Sequence, residues 1–261
     1  MHVTQTTTTV MRARGLRKSY GHVSALDGVD IEIHGGEIAA IVGDNGAGKS
    51  TLIKILSGAI RPDEGTIEFL DRETQLHSPA QARELGIETV YQDLALAPNR
   101  DVVQNLFLGR EICRAGVLAP LKLLDRSEMR KRAGEQLARL EVGLPRTWGL
   151  PVGRMSGGQR QAVAIARAAL WASKVMFMDE PTAALGVRES AAALRLAKRV
   201  ADTGVAVVMI SHVMPHVAEF ADRVIVLRHG RKVAEVGSDT STEELVGLIV
   251  GTAAPTRLND S

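Results

Sequence analysis

A chain of 261 residues in which 32 Lys and Arg face 30 Asp and Glu has a formal charge of only +2, which argues against a protein built to grip nucleic acid. Four Phe, two Trp and two Tyr are too few for an RNA-stacking surface, and a lone cysteine, Cys113, can form neither an internal disulfide nor a cysteine metal cage, so a reducing compartment is the economical reading. The length allows a sizeable core, and no apolar run approaches the roughly 20 residues that a spanning helix needs.

Residues 1–9 are Thr-rich, with no basic start and no apolar stretch, so they do not read as a signal peptide. We expect a disordered tail over 1–9, a single domain over 10–251 and a C-terminal tail over 252–261. Residues 29–33 alternate apolar and acidic side chains, as a half-exposed strand does. After a Gly35-Gly36 turn, residues 38–42 are apolar at every position, the pattern of a strand covered on both faces. A Gly-rich loop leads into a helix over 50–57, and 65–70 reads as another strand. Residues 87–91, 174–178 and 205–210 are further short apolar strands, each followed by a polar residue. Helical patterns separate them; the Ala-, Leu-, Lys- and Arg-rich 188–201 is the strongest. Such alternation predicts a parallel sheet between helices. Residues 223–227 and 231–236 flank His229-Gly230 as a hairpin, and Ser241 with Glu244 has the spacing that opens a last helix, up to 250.

The middle of the chain differs. Between 101 and 170 no convincing strand is visible. Asp125 and Glu128 can cap a helix on which Met129, Ala133, Leu137 and Leu140 form one apolar stripe. This predicts an all-helical subdomain over about 93–172, inserted in an α/β core.

Gly43-Asp44-Asn45-Gly46-Ala47-Gly48-Lys49-Ser50 matches the P-loop pattern, between a buried strand and a helix. Small side chains let successive backbone N–H groups face a polyphosphate at the positive end of a helix. In that arrangement Lys49 bridges the terminal phosphates and the Ser50 hydroxyl ligates Mg²⁺. The apolar strand ending in Asp179-Glu180 supplies a second part: Asp179 for Mg²⁺, and Glu180 as general base for an attacking water. By itself such a run is more often a strand meeting a solvated turn; the P-loop upstream reverses that. Ser156-Gly157-Gly158-Gln159, after Met155, starts an amphipathic helix with bare glycines whose N–H groups can again meet an anion, although a capped helix alone would look the same.

With these motifs in this order, the chain resembles the nucleotide-binding subunit of ABC transporters from about residue 11 to 251. The resemblance implies a P-loop NTPase core with a mostly parallel sheet, an antiparallel β subdomain and the inserted helical subdomain. It makes Tyr20 the aromatic that stacks on adenine, Gly43 to Thr51 the Walker A loop, Gln92 the Q-loop glutamine and Asp179-Glu180 the end of Walker B. Met155 to Gln159 become the signature, with Met in place of the usual Leu, and His212 the switch histidine. It further implies that two subunits close head to tail on two ATP molecules, each held between Lys49 of one and Ser156, Gly157 and Gly158 of the other. His212 then holds the γ-phosphate and the water, while Gln92 senses Mg²⁺ and relays to a permease. One departure stands out: Gly186 occupies the place where the family's D-loop usually ends in Asp, so that side-chain contact is expected to be absent.

The segments 43–46, 90–96, 105–111 and 180–186 resemble those of monosaccharide importers of the ribose, xylose and fructose type. With one P-loop and one signature, the chain is expected to pair with a copy of itself or a relative, peripheral on the cytoplasmic face of the membrane. Its partners would be a transmembrane permease and, indirectly, a sugar-binding protein, with no nucleic acid. Leu94, Leu96, Val102, Val103, Leu106 and Phe107 near Gln92 are candidates for a groove that receives a permease helix, or else internal core. Two other readings stay open: a soluble non-transport ABC ATPase, and a nucleotide-binding regulatory subunit with little turnover, for which Gly186 is the only motive.

Overall fold

The first two strands, β1 (Thr9–Tyr20) and β2 (Val23–His34), pair antiparallel from Thr9–His34 to Tyr20–Val23, with bulges at Gly15 and elsewhere. The computed structural model describes residues 8–115, 122–142, 149–237 and 239–253. Most of the two expected tails therefore lies outside the described residues; within them, Thr9 already belongs to β1 and Ala253 packs against the core. The buried strand β3 (Ile38–Val42) is followed by α1 (Lys49–Leu56), β4 (Glu64–Phe69), the two-residue β5 (Arg72–Glu73), α2 (Pro79–Glu84) and β6 (Ile87–Val90). Helices α3 (Val102–Leu106), α4 (Arg126–Arg139) and α5 (Gly157–Trp171) come next. The chain then runs through β7 (Val175–Asp179), α6 (Val187–Ala201), β8 (Ala206–Ile210), α7 (Met214–Phe220), the hairpin β9 (Arg223–Arg228) and β10 (Arg231–Gly237), and α8 (Thr242–Val250).

Two sheets result. A four-stranded antiparallel sheet has the order β2-β1-β4-β5, and a six-stranded sheet the order β10-β9-β3-β8-β7-β6. In the latter all neighbours are parallel except β10 on β9. Alternation along each central strand sends side chains to opposite faces. Ala40, Val42, Met176, Met178, Val207 and Met209 join the core beneath α3 to α8, whereas Ala39, Ile41, Phe177, Val208 and Ile210 join the core shared with α1 and the antiparallel sheet. Both faces are thus covered, as the unbroken apolar strands predict.

The expected helical subdomain lies between β6 and β7, where the described residues hold helices and one isolated bridge, Cys113–Leu124. Its helices start where side chains replace missing backbone partners. Asp101 and Gln104 form a capping box on α3, the Asp125 carboxylate accepts from the N–H of Glu128 on α4, and Ser156 and Gln159 box α5. The stripe Met129, Ala133, Leu137 and Leu140 is buried throughout.

Arg223, at the start of β9, ties the two sheets together. It is only 8% exposed. Its guanidinium donates to Glu37 at 2.5 Å, to the Glu32 carbonyl at 2.7 Å and to Glu235. Burial alone would lower its pKa, but the Glu37 and Glu235 carboxylates outweigh it and the net shift is upward. Removing the guanidinium leaves two half-buried carboxylates, Glu37 and Glu235, without their shared counter-charge. Arg223→Ala should therefore cost about 3–5 kcal/mol. Urea denaturation checks this; an unchanged midpoint would show that Glu37 and Glu235 are already solvated.

Candidate functional site

Parallel register explains why distant motifs meet. Ile41 and Asp179 both pair with Ile210, and Val90 pairs with Met178, so β3, β6, β7 and β8 end at one sheet edge. The residues just beyond those ends are Gly43, Gln92, Glu180 and Ser211-His212. Ligands of parallel sheets bind at this carboxyl edge.

The loop after β3 has the shape its glycines permit. Gly43 and Gly48 have φ of 150° and 101°, in the region that penalises a side chain. A Cβ at 43 would run into the Leu227 carbonyl, and one at 48 into the Ala25 carbonyl and Leu26. The loop is thereby pressed against β9 and β2. Asp44, Asn45, Gly46 and Ala47 complete it, with a turn closed by Ala47 N–H to the Asp44 carbonyl at 3.1 Å. Lys49 and Thr51 lie in the first turn of α1, whose partial positive charge faces the same space.

Lys49 is 8% exposed and folds back, its Nζ donating to the carbonyls of Gly43 at 2.7 Å and Asp44 at 2.8 Å. Burial lowers its pKa, and Glu180, Asp44 and Asp179 only partly compensate. Asp179 shifts upward, first through burial and then through the neighbouring Glu180 charge, against the pull of Lys54, a Ser50 hydrogen bond and Lys49. Ser50 and Asp179 thus form an oxygen-only pair beside an under-neutralised carboxylate. Glu180 has a left-handed backbone, φ 50°, at the abrupt end of β7. His212 Nδ1 is 3.6 Å from Glu180 Oε1.

The structure therefore gathers Lys49, Ser50, Asp179, Glu180 and His212. Gln92 stands exposed at the same edge, and among the described residues no hydrogen bond joins it to them. Tyr20 ends β1, 49% exposed, with Lys18 Nζ 6.0 Å from its ring centre. Ser156, Gly157, Gly158 and Gln159 form a separate lip at the start of α5. There Gln159 N–H donates to Ser156 Oγ at 3.3 Å, and Ser156 N–H to Gln159 Oε1 at 3.0 Å. Met155 is buried in the core, which accounts for an apolar residue at that place but does not require Leu.

Of the six apolar residues expected to line a groove near Gln92, Val102, Val103 and Phe107 are core, and Leu94 and Leu96 pack against it half-buried. Leu106 is core as well, but it also borders a cavity of about 270 Å³ whose walls include Glu88, Tyr91, Arg110, Arg167 and Trp171. Burial raises the Glu88 pKa despite its ion pair with Arg110 at 2.6 Å.

Arg167 is not among the expected site residues, although it is the one charge in the otherwise apolar stretch 162–172, which is a signal. Its guanidinium holds the carbonyls of Ala95 at 2.6 Å and Leu94 at 2.8 Å, both residues having left-handed φ. It thus links α5, which Ser156 caps, to the turn that carries Gln92. Glu189 is absent from them too; its signal is its position three residues past the N-cap Gly186.

The sequence profile of the ABC transporter family matches residues 26–183. The chain is 47% identical over 250 residues to the fructose import ATP-binding protein FrcA of Rhizobium meliloti, covering 95% of this chain and 96% of that protein. It is 42% identical to the xylose/arabinose import ATP-binding protein XylG of Sulfolobus acidocaldarius, covering 94% and 95%. The ribose import ATP-binding protein RbsA 1 of Rubrobacter xylanophilus is 45% identical, and the chain spans 47% of its length. Among solved structures, a nucleotide-free ATP-binding cassette from an ABC transporter superposes with a TM-score of 0.78 at 26% identity, covering 94% of this chain and 96% of that one. A dimeric cassette bound to ADP and Pi superposes at 0.73 with 27% identity, covering 88% of this chain and all of that one.

Proposed function

This chain belongs to the ABC transporter family, and from that premise we propose that it is the ATP-hydrolysing subunit of a monosaccharide importer. The observation that carries the reading is the meeting of Lys49, Ser50, Asp179, Glu180 and His212 at the carboxyl edge of β3, β7 and β8. The names of the relatives above support the sugar.

In this reading Lys49 leaves the Gly43 and Asp44 carbonyls for the terminal phosphates, and the loop amides of residues 43–51 hold the rest of the chain of phosphates. Ser50 and Asp179, both oxygen donors, suit a hard cation. Mg²⁺ there would neutralise phosphate charge. Glu180 takes the proton of a water that attacks the γ-phosphorus; the bond to the β-phosphate oxygen breaks and ADP leaves. His212 orients that water and the γ-phosphate beside Glu180. Tyr20 stacks on the base, and Gln92 relays occupancy to the groove lined by Glu88 and Arg167.

The site closes only when Ser156, Gly157, Gly158 and Gln159 of a second subunit cover the nucleotide, since they stand on a lip away from Lys49. The pair is a homodimer or this chain with a relative. Its permease docks in the groove, with a sugar-binding protein acting through it, so the chain works on the cytoplasmic face of the membrane. No described helix is long and apolar enough to cross a bilayer.

The test is ATPase activity of the subunit reconstituted with its permease in liposomes. Addition of a binding protein loaded with the right pentose or hexose should raise turnover severalfold. If no monosaccharide of a broad panel does so while basal hydrolysis persists, the sugar assignment fails and the ATPase assignment stands.

A further inference from the structure

The place of the missing D-loop carboxylate is not empty. A Cβ built on Gly186 would lie 2.5 Å from Oε2 of Glu189. The same side chain reaches the signature lip, where a Cβ on Gly158 would lie 2.6 Å from Glu189 Cγ and 2.9 Å from its Cβ. Glu189 thus fills the space left by two glycines, one at the start of α5 and one at the start of α6. Its methylenes cover Gly158, and its carboxylate sits against Gly186 at the positive end of α6, where an acidic group is favoured. Leu185 also reaches the lip, its Cδ2 at 3.4 Å from a Cβ placed on Gly157.

This cluster is also an open surface. Glu189 is exposed, and the adjacent Val187 is 84% exposed, an apolar side chain without cover at the same edge. The lip is what a second copy of the chain would meet on closing over nucleotide, and that copy presents an amide-rich, positively polarised loop. We propose that Glu189, not residue 186, supplies the carboxylate that this loop offers to the facing subunit, and that it sets the signature lip for closure. The inference rests on the paired reading of the site given above.

The experiment follows ATP-dependent dimerisation by light scattering in a Glu180→Gln background, with monomer nucleotide affinity and thermal midpoint recorded for each variant. Glu189→Ala should raise the ATP concentration for half-maximal dimerisation roughly tenfold, the loss of one charge-assisted hydrogen bond, with monomer affinity unchanged. Glu189→Gln, which keeps the methylenes on Gly158, should be as deficient and stands in if the alanine variant does not fold. Gly186→Asp in the Glu189→Ala background should restore dimerisation, because the aspartate returns a carboxylate to that space. Gly186→Ser in the same background caps α6 without a charge and should not.

Parental dimerisation by Glu189→Ala or by Glu189→Gln overturns the proposal, as does equal rescue by serine and aspartate, which would reduce Glu189 to a helix cap. Failure of every protein in the set to dimerise with its permease present and ATP saturating would instead refute the paired reading itself.

Discussion

Glu180→Gln should bind ATP with parental affinity and hydrolyse it roughly 10²–10⁴-fold more slowly, the range expected when a general base is lost. The amide keeps the size of the side chain and the strained turn at the end of β7, so folding and the phosphate loop are left alone. What disappears is the acceptor for the water's proton. His212 does not replace it, for its Nδ1 faces Glu180 at 3.6 Å and it serves as a partner of the carboxylate rather than an independent base. ATP should therefore accumulate on the variant, and with it the closed pair. Single-turnover measurement of phosphate release separates this from a binding defect. A variant that turns over at the parental rate would remove Glu180 from the role of base.

Lys49→Met should weaken ATP binding by about 10²-fold or more, since an ammonium that bridges phosphates contributes several charge-assisted bonds. The same substitution should leave the nucleotide-free protein at least as stable as the parent. Burial depresses the Lys49 pKa below its usual 10.5, so the unfolded chain holds that proton more tightly than the folded one. Between the depressed value and 10.5 the unfolded state binds more protons, and stability of the parent rises with pH across that window. The methionine variant lacks the titrating group and should lose that part of the slope. Bound phosphate reverses the balance by favouring the ammonium. Isothermal titration and urea denaturation from about pH 7 to 10 read both effects; unchanged affinity, or an apo protein much weaker than the parent, would contradict the account.

Much of this architecture is legible in the residue pattern. The strand 38–42, the phosphate loop and α1 are local: apolar residues at every position, glycines where φ is positive, and a helix start all lie within a dozen or so residues. The Ser156–Gln159 and Asp125–Glu128 caps are equally local, since each bond spans three residues. β1 is harder to read. Its Arg12, Arg14, Arg17 and Lys18 have the look of solvated surface, yet Arg12 pairs with Glu32 at 2.6 Å and Glu68 at 3.1 Å on the two flanking strands. A ladder partner can offset a charge that the strand itself leaves unexplained. The short α2, α3 and α7 escape the pattern because helices of so few residues owe their existence to packing rather than to periodicity.

By itself the sequence determined the glycine-rich loop between β3 and α1, the strands buried on both faces and the caps of α4 and α5, because these follow from contacts between near neighbours in the chain. Only the tertiary structure decided that Lys49, Asp179 and His212 share one edge, that Arg167 grips the turn beyond Gln92, and that Glu189 fills the room at Gly186. Those are matters of strand register and helix docking. They join residues far apart in the chain, and their geometry is set by how the whole core packs.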